Sequence, residues 1–155
     1  MNRKRRWIAA NAFLIVLTLA FIWYNSTESI PESQARSLDL AALLKPIFGP
    51  IIGQENVTDH FIRKAAHFSE FALLGAELRM LFRLLGFSVL QGQANALFAA
   101  LAAAVVDETI QYFFDRGSMV LDVVLDFCGA FFGALVLLII VLGIQGRRKK
   151  GEEQK

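Results

Sequence analysis

From residue 7 to residue 24 the chain is apolar apart from Asn11 and Thr18. At about 1.5 Å per helical residue that run crosses a hydrocarbon layer roughly 30 Å thick. Three further apolar runs follow at 63–85, 94–114 and 120–142, joined by connections at 86–93 and 115–118. Residues 25–62 are mixed in polarity and carry Pro31, Pro46 and Pro50 with Gly49 and Gly53, which reads as a loop holding a short amphipathic helix near 37–44. The pattern predicts an all-α fold: an integral membrane four-helix bundle, one domain over residues 1–155, with an outward-facing loop after the first span.

Composition agrees with spans rather than a soluble core, because 55% of the residues are hydrophobic and mean hydropathy is +0.49. Net charge is only +2, and the basic residues gather at the two ends and at one point mid-chain, so no nucleic-acid surface is expected. Arg3, Lys4, Arg5 and Arg6 before an apolar run resemble a secretory signal. No small-x-small cleavage site precedes Asn25, however, and Trp23 and Tyr24 form an interfacial belt, so an uncleaved anchor is expected. With four spans, the first basic cluster, Arg79 with Arg83, and Arg147, Arg148, Lys149 and Lys150 all fall on one side. The positive-inside rule makes that side cytoplasmic, so the reading is a multi-pass cell-membrane protein with both termini inside. The charges of the second span must pair, face protein or snorkel; Arg79 and Arg83 are able to snorkel, which Glu77 cannot easily do.

Helical periodicity lines up three polar stripes. The second span stacks Arg63, His67, Glu70, Leu74 and Glu77, with Lys64 at the edge. The third stacks Ala96, Ala100, Ala103, Asp107 and Gln111, with Glu108 beside them, and the fourth stacks Asp122, Asp126, Gly129 and Gly133. Alanines and glycines beneath the polar residues permit close helix approach, so the stripes are expected to converge in the outer half of the bilayer. There Glu70, Asp107, Glu108, Asp115, Asp122 and Asp126 face only Arg63, Lys64 and Arg116. So many like charges in low dielectric call for protonated carboxylates, or for a cation or cationic ligand group among them.

The same residues carry a family pattern. The ordered set R-K-x-x-H-F-x-E-F from Arg63, D-E-x-x-Q from Asp107, Arg116, and D-x-x-x-D-x-x-G from Asp122 resembles the VanZ-like family over about 26–133. These are small multispan bacterial membrane proteins whose namesake is associated with low-level teicoplanin resistance. The family usually has Asn where this chain has Asp126, and an apolar residue where it has Glu77. The resemblance implies a process and a site but no reaction.

Arg63, Lys64, His67, Glu70, Asp107, Glu108, Gln111, Arg116, Asp122 and Asp126 are therefore the expected ligand-binding residues. His67, Glu70, Asp107 and Glu108 are the candidates for acid–base work. Each has a plainer alternative: His67 with Glu70 as an intrahelical pair, the α-helical carboxylates as partners of Arg63, Lys64 or Arg116, and Arg116 as charge balance for Asp115. No cofactor or dedicated metal is expected, although Glu108, Asp122 and Asp126 could together hold a divalent cation. Ser69 and Ser118 lie in no nucleophile turn. Cys128 falls on the face of its helix opposite Asp122 and Asp126, no disulfide partner or zinc spacing accompanies it, and no phosphate-cradling glycine loop is present.

Three functions fit this set. The first is non-enzymatic binding of a glycopeptide, a cell-wall precursor or an anionic envelope lipid. The second is a membrane-embedded enzyme acting on a lipid-linked head group. The third is a proton or cation pathway along Glu70, Asp107 and Glu77. Membrane lipid is the expected partner, and a homo-oligomer stays open.

Overall fold

Apolar runs flanked by capping residues set the helices, and the computed structural model describes residues 2–116 and 119–153, the side chains of Ile30 and 148–153 excepted. Ser118, and the side chains of Arg148, Lys149 and Lys150, lie outside the described residues. The elements in order are α1 (Arg3–Ser26), α2 (Ile30–Ile52), a 3-10 turn (Gln54–Asn56), α3 (Asp59–Leu85), α4 (Val89–Phe113) and α5 (Val120–Glu153), with no strand among the described residues. The fold is all-α.

The side chains of Asn2, Thr58 and Ser88 accept hydrogen bonds from Lys4, Phe61 and Gln91 backbone N–H groups and so start α1, α3 and α4. Gly86, in the left-handed conformation at φ 98°, ends α3, leaving a much tighter junction to α4 than the expected 86–93 connection. Three helices, α1, α3 and α4, begin earlier than the hydrophobic runs suggest, because the caps, and not the first apolar residue, set where a helix starts.

Residues 25–62 are not mainly loop. α2 continues for 23 residues through Pro46 and Pro50. Pro31 sits in its first turn, where the missing N–H has no intrahelical partner to lose. Pro46 and Pro50 lie four apart on the exposed side, close to the helix end, so their disruption falls away from the packed face. Ser33, Ser37 and Ala41 form the buried stripe that faces the bundle, while Leu43, Ile47 and Ile51 are exposed. Gly53, at φ 91°, ends the helix.

α3 occupies the centre, packing against α5 most extensively and also against α1, α4 and α2. Its seam with α5 is built from backbone approaching backbone. A Cβ added at Gly75 would collide with the Ala130 backbone, one at Gly129 with Phe68, and one at Gly133 with Ala72. Phe71, Leu74, Ile22, Ala96, Ala100, Ala104 and Ala130 form the fully enclosed core around this seam.

Large apolar side chains face outward instead, among them Phe13, Leu90, Phe98, Phe132 and Ile139. That inversion suits hydrocarbon surroundings. Among the described residues, three helices are long and apolar enough to cross a membrane, over Arg3–Ser26, Val89–Phe113 and Val120–Arg147. The fourth expected span, in α3, falls short on composition, since Arg63, Lys64, Glu70, Glu77, Arg79 and Arg83 interrupt it. Arg79 does not snorkel: it is 3% exposed, and among the described residues its Nε–H and Nη1–H groups find no protein acceptor. Gly92 makes the space, because a Cβ there would stand 3.1 Å from Nη1. Arg83 is exposed.

Gly133→Val should lower the stability of the detergent-solubilised protein by about 3 kcal/mol, read as unfolding in graded denaturing detergent. Gly143→Val, where an added Cβ meets nothing within 4 Å, should stay within about 0.5 kcal/mol of the parent chain.

Candidate functional site

The C-terminal end of α1, the N-terminal end of α3, the C-terminal end of α4 and the N-terminal end of α5 meet at one end of the bundle, under α2. Helical spacing places Arg63, Lys64, His67 and Glu70 on the first turns of α3. Asp107, Glu108 and Gln111 occupy the last turns of α4, and Asp122 and Asp126 the first turns of α5.

Asp107, with no solvent exposure, is the best-satisfied group. Its Oδ1 accepts from Ser26 Oγ at 2.6 Å and its Oδ2 from Gln111 Nε2 at 2.7 Å. His67 Nδ1 stands 3.8 Å from Asp107 Oδ2 and 3.9 Å from Asp126 Oδ1, so one imidazole edge faces carboxylates from two other helices. Asp126 is 1% exposed, and among the described residues neither of its oxygens accepts a hydrogen bond. Lys64 and Asp122 form an ion pair joining α3 to α5. Glu108 Oε2 accepts from the Met119 N–H at 3.0 Å and so holds the start of α5 to α4.

The remaining cations lie nearer the rim. Arg116 donates to the Asn25 carbonyl and, at 3.1 Å, to Ser33 Oγ, tying the α4–α5 turn to α1 and α2. It does not balance Asp115, which is exposed in the turn at φ 55°, outside the layer expected to contain it. Partial burial, reinforced by the nearby charge of Arg63, presses the Arg116 pKa below its usual value. Arg63 pairs with Asp59 at 3.3 Å, leaving Nε without a partner among the described residues. Glu70 Oε1 accepts from Asn25 Nδ2 at 3.2 Å.

Two cavities open onto this assembly. One of about 140 Å³ is lined by Lys64, Glu108, Gln111 and Asp122. The other, of about 240 Å³, lies beneath α2 and combines Arg36, Arg63 and Glu70 with the apolar Phe21, Leu40 and Ile62. Arg63, His67 and Arg116 line both.

Periodicity alone did not point to four participants. Ser26 and Asn25 belong to α1, whose buried stripe of Asn11, Ile15, Ile22 and Ser26 continues past the aromatic belt where the apolar run ends. Extending that stripe by one turn would have found Ser26. Ser33 depends on α2 being helical, and His60 lines the smaller cavity from the first turn of α3. Glu77 does not join the cluster. It lines a separate groove with Trp7, Asn11 and Arg83, so the carboxylate sequence Glu70, Asp107, Glu77 is interrupted. Ser69 is exposed and bonds back to the Ala65 carbonyl, and Cys128 is exposed.

The fold and its clustered ionisable groups define a helical membrane protein with a polar pocket at one end. The sequence profile of the VanZ/LLP1 family matches residues 11–141, and the chain belongs to that family. No curated protein and no solved structure matches it.

Ser26→Ala would leave buried Asp107 Oδ1 without its donor and should cost about 1–3 kcal/mol, measured by the same detergent unfolding. Ser69→Ala, at an exposed hydroxyl, should shift stability by no more than about 0.5 kcal/mol.

Proposed function

We infer that this VanZ-family protein holds an anionic, lipid-linked cell-envelope ligand in the polar pocket and thereby lowers the action of teicoplanin. The observation that carries this reading is the layered charge of the pocket: a floor of His67, Asp107 and Asp126 beneath a rim of Arg36, Arg63 and Arg116. Guanidinium groups recognise phosphate or carboxylate through paired donors, and Arg63 Nε has no protein acceptor. The apolar wall of Phe21, Leu40 and Ile62 beside those arginines suits the adjoining lipid chain. The association with glycopeptide resistance comes from the family resemblance.

In this reading α3 crosses the bilayer with α1, α4 and α5, its ionisable groups turned toward them. The basic residues at the start of α1, Arg83 at the end of α3 and Arg147 then share the cytoplasmic side. The pocket opens at the outer leaflet, and α2 lies along that surface with Leu43, Ile47 and Ile51 toward lipid.

A second reading, catalysis on the bound head group, is favoured by one observation: His67 lies within 4 Å of two carboxylates at the pocket floor. Envelope lipids compared by mass spectrometry with and without the protein would differ in head group under that reading and coincide under simple binding.

Expression in a teicoplanin-sensitive host should raise its tolerance. Arg63→Ala should abolish the gain at equal membrane abundance; an unchanged susceptibility for the parent chain would overturn the reading. In a Cys128→Ser background, a cysteine at Asp39 should react with a membrane-impermeant maleimide in intact cells, whereas one at Arg5 should react only after permeabilisation.

A further inference from the structure

The geometry points to a divalent transition-metal site formed by His67 Nδ1 and one carboxylate oxygen each of Asp107 and Asp126. These three donor atoms, from α3, α4 and α5, lie within 4.8 Å of one another. Metal–ligand bonds of about 2.1 Å place neighbouring donors about 3.4 Å apart in a tetrahedral sphere. The separations of 3.8 and 3.9 Å from Nδ1 to the two carboxylates are near that value, and side-chain rotation of the two aspartates would close the set onto a shared ion.

Asp126 supplies the independent reason to expect an occupant. Its carboxylate is enclosed at 1% exposure, aims into the trio, and among the described residues accepts no hydrogen bond at either oxygen. A buried carboxylate without donors is costly, and a cation removes that cost. Asp107 is already oriented in the manner of a supported ligand, held by Ser26 and Gln111. An imidazole with two carboxylates selects zinc or manganese over magnesium or calcium, which prefer oxygen donors alone.

The set differs from Glu108, Asp122 and Asp126, the trio that spacing along the chain had offered. Asp122 is engaged by Lys64 and Glu108 by the Met119 N–H, whereas His67 brings a nitrogen donor from a third helix. Three protein ligands leave coordination positions open, and His67 and Asp126 border the smaller cavity. A phosphate or carboxylate oxygen entering past Arg63 and Arg116 would meet the metal there. This inference rests on the pocket being the working site, and it identifies what the ligand's anionic group would bind.

The test is zinc titration of the full chain in nanodiscs after chelation, followed by replacement with cobalt(II), whose visible spectrum reports its ligands. One zinc per chain is expected. Asp126→Asn and His67→Ala should each weaken it by about 100-fold or more and alter the cobalt spectrum, while Glu77→Gln should not. Asp126→Asn is nearly isosteric, and circular dichroism confirms that it remains folded; a loss of helix there moves the comparison to His67→Gln. Absence of stoichiometric zinc, or zinc bound equally by the Asp126 and His67 variants, overturns the proposal. Zinc binding that survives while Arg63→Ala keeps full teicoplanin tolerance supports the metal and overturns the ligand reading. Tolerance that depends on Arg63 without any zinc binding does the reverse.

Discussion

Backbone contact between α3 and α5 is the constraint on which the other contacts depend. Gly75, Gly129 and Gly133 let the two helices approach until each glycine faces the partner's main chain, with no side chain between them. Helices in lipid gain little from excluding water from one another, so close dispersion contact must supply much of their association. The approach also fixes a register. Gly129 lies opposite Phe68, which places Asp126, one turn earlier on α5, close to His67 on α3. The alanines of α4 close the third side, with Ala96, Ala100, Ala103 and Ala104 beneath Asp107.

Above that apolar seam, several polar groups couple one element to another. Ser26 joins α1 to α4 through Asp107, Lys64 joins α3 to α5, Glu108 joins α4 to the beginning of α5, and Arg116 reaches α1 and α2 together. Where these groups are enclosed, water is a poor alternative partner, so such a bond restricts the geometry more than its counterpart on an open surface would. The cluster is therefore both a fastening between helices and a recess with charged walls. A substitution in it affects structure and binding together unless it is chosen among groups, such as Arg63, that retain unpartnered atoms.

The stripe on α4 was legible because alanines repeat at helical spacing beneath Asp107 and Gln111, and no other period explains them. The glycine spacing on α5 was legible for the same reason. α2 was not, because proline is read as a breaker wherever it occurs, whereas Pro46 and Pro50 fall together on the exposed face near the helix end. Ser26 was missed because hydropathy marks where an apolar run stops, while the helix continues until its hydrogen bonding ends. Arg79 was misjudged for want of its neighbour: a long cationic side chain ordinarily reaches for water, and only the gap left by Gly92 on another helix shows why it stays inside. Asp115 was grouped with the layer by its position in the chain, although the reversal at that residue turns it outward.

The short junction at Gly86 bears on how such a chain enters a bilayer. Taken alone, α3 carries too many charges to partition into hydrocarbon, and Arg79 would arrive there unshielded. Its successor follows almost immediately, and Gly92 offers the guanidinium a recess within the first turn of that helix. For α3 to cross, the two must pass from the insertion machinery as a hairpin, the more apolar arm carrying the less apolar one. Lengthening the junction would then impair biogenesis before it touched the finished pocket.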